Sequence, residues 1–108
     1  MVFYTDWFVP KGMAGFTPGP FTLIRPAYKG DAPLHVHEAV HRRQFWRSCG
    51  LALPLMYLLS RKWRLKLEVE AYKAQIAAGM AAKSAAGFLA SPAYGLGISE
   101  VEALQLLA

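Results

Sequence analysis

The run His37-Glu38-Ala39-Val40-His41 decides how this chain is read. It lies in a stretch with helical signals at both ends. Asp31 is a good N-cap, Pro33 suits a first turn, and Gly50 suits a stop. These signals predict a helix over residues 32–48. On a helical wheel with His37 as origin, His41 falls at about 40°, so the two imidazoles sit one turn apart on one face. Leu34 falls at about 60° and Phe45 at about 80°, which turns that face toward a core. Glu38 falls at about 100°, at the edge of the face, and Gln44 at about 340°, beside the histidines. Two imidazoles so placed can share one zinc ion, with the intervening glutamate acting on a water. His35 falls at about 160°, on the other side, and is read as a surface or second-layer residue and not a ligand.

A catalytic zinc site needs a third protein ligand. The second long helix, expected over residues 61–78 with its end near Gly79, offers Glu68 and Glu70. With Leu65 as origin, the residues Val69, Tyr72 and Ile76 fall within about 40° of it and form a buried stripe. Glu68 falls at about 300°, on the border of that stripe. Glu70 falls at about 140°, beyond Lys62, Lys66 and Lys73. Glu70 is therefore read as a solvated partner of Lys66 or Lys73, and Glu68 as the ligand. The competing role for Glu68 is an i,i+4 pair with Arg64. Trp63, Leu67 and Ala74 give the same helix a second apolar side.

The rest of the chain frames these helices. Residues 2–9 are rich in aromatic and β-branched types and predict a strand. Pro10, Gly12, Gly15, Pro18, Gly19 and Pro20 predict a turn-rich loop, and Phe21-Thr22-Leu23-Ile24-Arg25 a second strand stopped by Pro26. A short helix from Pro54 to about Ser60 is expected. Residues 80–90 form an alanine-rich helical stretch, and Ser99 with Glu102 makes a capping box for a last short helix. The fold class expected is α+β: a small antiparallel N-terminal sheet packed on a mainly helical body. The 108 residues, 55% of them hydrophobic, suit a single domain over residues 1–108.

Twelve Lys and Arg against seven Asp and Glu give a net charge of +5, which mainly serves solubility. The shortage of flexible basic tails and of any DNA-binding motif argues against a specific nucleic-acid partner. Cys49 is the only cysteine, so no intramolecular disulfide forms and any metal must rest on His and carboxylate. Residues 1–10 lack a basic segment followed by an apolar one, and the apolar run 51–59 is too short to span a bilayer. Both point to a cytoplasmic protein. The same run, followed by Arg61, Lys62, Trp63 and Arg64, leaves open a weak membrane-surface contact.

The His37-Glu38-Ala39-Val40-His41 run, followed on a later helix by Glu68-Val69-Glu70-Ala71-Tyr72, resembles the gluzincin branch of zincin-like zinc metallopeptidases. The layout is similar to that of the minigluzincins and of small phage-encoded zincin-like proteins, over about residues 21–75. The resemblance implies a minimal metallopeptidase domain, an active-site helix and a glutamate helix. It also implies one Zn²⁺ per chain on His37, His41 and Glu68, and a peptide or protein substrate. The family often has Asp where this chain has Tyr72, and that Asp orients a ligating histidine. Tyr72, Gln44 and Gln75 are the residues here that can take that part. A strand before the active-site helix, here Phe21-Thr22-Leu23-Ile24-Arg25, is implied to rim the cleft and pair with extended substrate. Glu38 is then the general base, with Tyr57, Tyr28 and Arg64 as candidate donors to the developing oxyanion. Three other readings stand beside this one: an inactive protein in which the metal staples a small fold, a basic module that binds nucleic acid or protein, and a peripheral membrane protein that uses residues 51–64.

Overall fold

The computed structural model describes residues 1–47 and 57–108. Ser48, Cys49, the Gly50 stop, Pro54 and the apolar run as far as residue 56 lie outside the described residues. The chain is α+β, with a small three-stranded sheet on a mainly helical body.

Strands β1 (Val2–Tyr4), β2 (Gly15–Phe16) and β3 (Thr22–Ile24) form a sheet of order β1-β3-β2. The sheet is mixed and not antiparallel throughout: β2 runs antiparallel to β3, but β1 runs parallel to it. The cause is the connection between β1 and β2. The chain between Asp6 and Met13 is wound around the Arg25 guanidinium. Arg25 donates to the carbonyls of Met13 at 2.8 Å, Val9 at 3.1 Å and Pro10 at 3.2 Å, and to the Asp6 carboxylate at 3.1 Å. This wrap lets the chain return on the far side of β3. Residues 5–9, expected to continue the first strand, belong to this wrap.

A 3-10 turn (Pro26–Tyr28) leads to α1 (Ala32–Arg47). Asp31 caps α1 as expected, its carboxylate accepting from the Leu34 N–H at 3.0 Å. Residues 57–59 are helical, and α2 (Arg61–Ala77) follows with Ser60 as its cap. Helix α2 is capped by Ala78 and the chain turns away at Gly79, whose φ of +123° is open to glycine at little cost. Helices α3 (Ala82–Leu89) and α4 (Glu100–Leu107) complete the body, and α4 begins in the expected Ser99–Glu102 capping box.

Helices α1 and α2 pack antiparallel: His41 meets Glu68, His37 meets Tyr72, and Pro33 lies against Gly79. The stripe of α2 packs on α3 and α4, where Tyr72, Ala85, Ala86, Leu89, Leu96, Ala103 and Leu107 form the core with Leu65, Val69 and Ile76 at its edge. Leu67 and Ala71 are buried too, so α2 is packed on both sides. This double packing holds Glu68 rigidly opposite the histidines.

Candidate metal centre

Three lone-pair atoms converge between α1 and α2. The Nε2 atoms of His37 and His41 are 3.2 Å apart. Glu68 Oε1 lies 3.0 Å from His41 Nε2 and 3.2 Å from His37 Nε2. A tetrahedral zinc with bonds of about 2.0–2.1 Å holds its ligand atoms about 3.3–3.4 Å apart, so the donor set fits such an ion closely. The side chains of His37 and Glu68 are 3% exposed, so these donors are taken out of water and must be compensated by a cation or a proton. In the metal-free protein the proton takes that place. Burial acts to lower the His41 pKa, but the charge and hydrogen bond of Glu68 outweigh it and raise it to about 9. Burial acts in the opposite sense on Glu68, yet the facing imidazoles hold its carboxyl well below the usual range.

Each of these groups except His37 is held from behind. His41 Nδ1 donates to Gln44 Oε1 at 2.8 Å when Nε2 faces the other ligands. The Gln44 amide is fixed in turn, its nitrogen donating to the Leu67 carbonyl at 3.1 Å and to Glu70 at 2.8 Å. Glu70 also accepts from Arg47 at 2.9 Å. Glu70 thus takes its partners from α1, and not from Lys66 or Lys73 on its own helix. Tyr57 donates its hydroxyl to Glu68 Oε2. Burial and the Glu68 charge push the Tyr57 pKa up, so it stays a donor.

Glu38 is buried beside the ligands, its Oε2 3.9 Å from His37 Nε2. Its other oxygen accepts from the Thr17 hydroxyl at 2.9 Å. Because Thr17 gives its proton there, the Thr22 hydroxyl must donate to Thr17 across their 2.9 Å contact. Thr22 in turn accepts from Arg42. The result is a one-way relay from Arg42 through Thr22 and Thr17 to Glu38. Gly15 on β2 closes the wall: a Cβ there would lie 3.2 Å from Glu38 Oε2. A cleft of about 180 Å³ opens over Glu38 and His41, walled by Phe16, Phe45, Tyr57 and Leu58.

Other expected site residues fall elsewhere. Phe21-Thr22-Leu23-Ile24-Arg25 does not offer a free edge, because β3 is the central strand and has a neighbour on each side. Within that stretch, Thr22 serves the relay and Arg25 the loop wrap. The strand facing Glu38 with an edge is β2. Tyr72 does not hydrogen-bond a ligand. Its ring packs edge-on against His37 at 4.3 Å, and its hydroxyl meets that of Tyr94 at 2.7 Å. Arg64 neither pairs with Glu68 nor points its charge at the cleft: it donates to the carbonyls of Tyr94 at 2.7 Å and Tyr57 at 2.9 Å. Tyr28 is 43% exposed and lines a second cavity, as Gln75 does. His35 is not a ligand; it bonds the Tyr4 hydroxyl at 3.0 Å and the Asp31 carbonyl.

Thr17, Arg42 and Tyr94 carry parts of the site that were not legible in the sequence. Tyr94 lines both cavities, and burial, followed by the charge of Glu68, raises its pKa well above the usual tyrosine value. Among the described residues, His37, His41 and Glu68 are the one group of His, Cys, Asp or Glu able to hold a metal ion. None of the helices among the described residues is long and apolar enough to cross a membrane. No protein-family model, curated protein or solved structure matches the chain.

Proposed function

We propose that this protein is a zinc-dependent hydrolase of peptide bonds. The observation that carries the reading is the spacing of His37, His41 and Glu68, 3.0–3.2 Å between ligand atoms, with a second carboxylate held beside them over an open cleft. A zinc ion held by His37, His41 and Glu68 would supply Lewis acidity to the attacking water and to the scissile carbonyl. The chain's own residues do the rest. His37 and His41 bind as neutral imidazoles and Glu68 as a carboxylate. Glu38 accepts the proton of the attacking water at Oε2, since Oε1 is held by Thr17, and returns it to the leaving amine. Thr17 keeps that carboxylate aimed. The apolar walls, Phe16, Phe45 and Leu58, exclude bulk water and receive an apolar part of the substrate. Extended substrate adds to the outer edge of β2, next to Glu38.

Of the three oxyanion donors named from the sequence, Tyr57 and Arg64 already serve other groups. Tyr94 has its ring on the wall of the cleft and its proton retained, and it can turn that proton on the oxyanion when Tyr72 is the donor across their 2.7 Å contact. A purely structural zinc site is closed by a fourth protein donor. The group found among the described residues has three, which favours the catalytic reading. The test pairs elemental analysis with cleavage of a denatured-protein or peptide-library substrate. One zinc per chain with cleavage lost in Glu38→Gln supports the proposal; a folded, zinc-loaded protein that cleaves nothing in the library rejects it.

A further inference from the structure

His37 stands apart from the other groups of the centre. Gln44 holds His41, Tyr57 holds Glu68 and Thr17 holds Glu38. His37 Nδ1 is buried and has no hydrogen-bond partner among the described residues. With a metal ion on Nε2, the neutral ring carries its proton on Nδ1, so an N–H donor is left buried without an acceptor. Leaving such a donor unpaired costs about 1–3 kcal/mol. Tyr72 gives no relief: it meets His37 with the edge-on packing of its ring, and its hydroxyl lies against that of Tyr94.

One other buried side-chain atom among the described residues is in the same condition: Gln75 Oε1, an acceptor. The two residues are 3% and 5% exposed. They also line one cavity of about 300 Å³, which shares His37, Glu38 and Tyr94 with the substrate cleft. The geometry of the helices accounts for the pairing. Gln75 lies two turns beyond Glu68 on the same face of α2, and the antiparallel packing brings that turn level with the start of α1. An orphaned donor and an orphaned acceptor, on two residues that line one cavity, are complementary to a single group that can accept from one and donate to the other. A water molecule does this, and it needs as few as two polar partners in a cavity of sufficient size.

We propose that one ordered water bridges His37 Nδ1–H and Gln75 Oε1, which makes Gln75 the positioning residue of His37. The inference rests on the metal reading for the Nδ1–H tautomer and for its consequence for zinc; the bridging water belongs to the folded chain and donates to both atoms where Nδ1 carries no proton. It also gives a role to Gln75, a buried amide in the last turn of α2. Because Gln75 acts through the water on a ring nitrogen, an acceptor of similar length can replace it and an apolar side chain cannot.

The experiment has two arms. High-resolution diffraction on the wild-type protein, metal-free and zinc-soaked, should show a solvent peak within hydrogen-bond distance of both atoms; a cavity without such a peak overturns the proposal. Competitive zinc titration should show Gln75→Leu binding about 10- to 100-fold more weakly than wild type, with Gln75→Glu recovering most of the loss. Thermal melts and a ¹⁵N measurement of the His37 ring accompany the titration. The Nδ1–H signal is expected to be protected in wild type and in Gln75→Glu, and exchange-broadened in Gln75→Leu. Equal zinc affinity in wild type and in folded Gln75→Leu overturns the proposal. If Gln75→Leu does not fold, the Glu variant and the density decide. If wild type binds no zinc at all, the metal reading falls, and the density and the ring signal still decide the bridge.

Discussion

Replacing Thr17 with valine removes one hydroxyl from the relay that ends on Glu38 and leaves the shape almost unchanged. The bond from Thr17 to Glu38 is 2.9 Å long and ends on a buried carboxylate. Hydrogen bonds to charged groups contribute about 1.5–3 kcal/mol. The substitution also strands the Thr22 hydroxyl, which is fully buried and donates to Thr17. Thr22 still accepts from Arg42, so the second loss is partial. A destabilisation of about 1.5–3 kcal/mol follows, or a fall in Tm of roughly 6–15 °C for a domain of this size. His37, His41 and Glu68, the proposed zinc ligands, have no hydrogen bond to Thr17, so zinc affinity should stay within about threefold of wild type, the additivity expected of separate networks. With Glu38 free to turn, kcat for peptide cleavage should fall about 10- to 100-fold, one to two factors of ten in orientation. Thr17→Ser keeps the donor and should restore both. Urea melts, zinc titration and peptide cleavage on the three proteins are the assays. A Thr17→Val protein with wild-type stability and kcat, or one whose zinc affinity falls while kcat holds, refutes the reasoning.

Glu38→Gln should keep one zinc per chain while losing at least about 100-fold in kcat, the usual share of a general base, and His41→Ala should lose the metal. Gln44→Leu unfastens His41 from α2 and should weaken zinc by about 10- to 100-fold, read by competition with a chelating dye. The metal-free protein should also show a distinctive pH profile. The His41 pKa is raised by Glu68 to about 9, so its contribution is complete below the unfolded value of 6.5 and is lost as pH rises through about 9. The Glu68 pKa is lowered, so its contribution is complete above the unfolded value of 4.5 and fades as pH falls below it. Urea midpoints should therefore peak between pH 4.5 and 6.5 and decline toward pH 9; a midpoint that rises over the alkaline range contradicts the pairing.

What could be read from the chain was local and periodic. The angle between His37 and His41, the border position of Glu68 beside the stripe of Leu65, Val69 and Ile76, and the caps at Asp31 and Ser99 all depend on neighbours within a turn or two. What could not be read depends on which distant elements meet. The strands of residues 2–4 and 22–24 could be recognised, but their parallel pairing is imposed by the loop wrapped on Arg25. That pairing buries the strand expected to receive substrate and leaves β2 at the edge. Helical spacing assigns Glu70 to the lysines of its own helix, yet the antiparallel α1 offers Gln44 and Arg47. Thr17 and Tyr94 sit in turn-rich segments with no periodicity, and each gains its part only when a loop closes over the helices. Tyr72, in the position of an expected acid, keeps the contact with His37 but as ring packing, and leaves the hydrogen-bonding part to other residues.

The central claim is that His37, His41 and Glu68 hold one cation together. Metal content by elemental analysis, with anomalous scattering to place the ion, tests it on wild type and Glu68→Ala side by side. One zinc per chain between α1 and α2, lost from the variant while its helical signal persists, is the expected result. A folded wild-type protein that takes up no zinc, or a Glu68→Ala protein that binds it as tightly as wild type, contradicts the account.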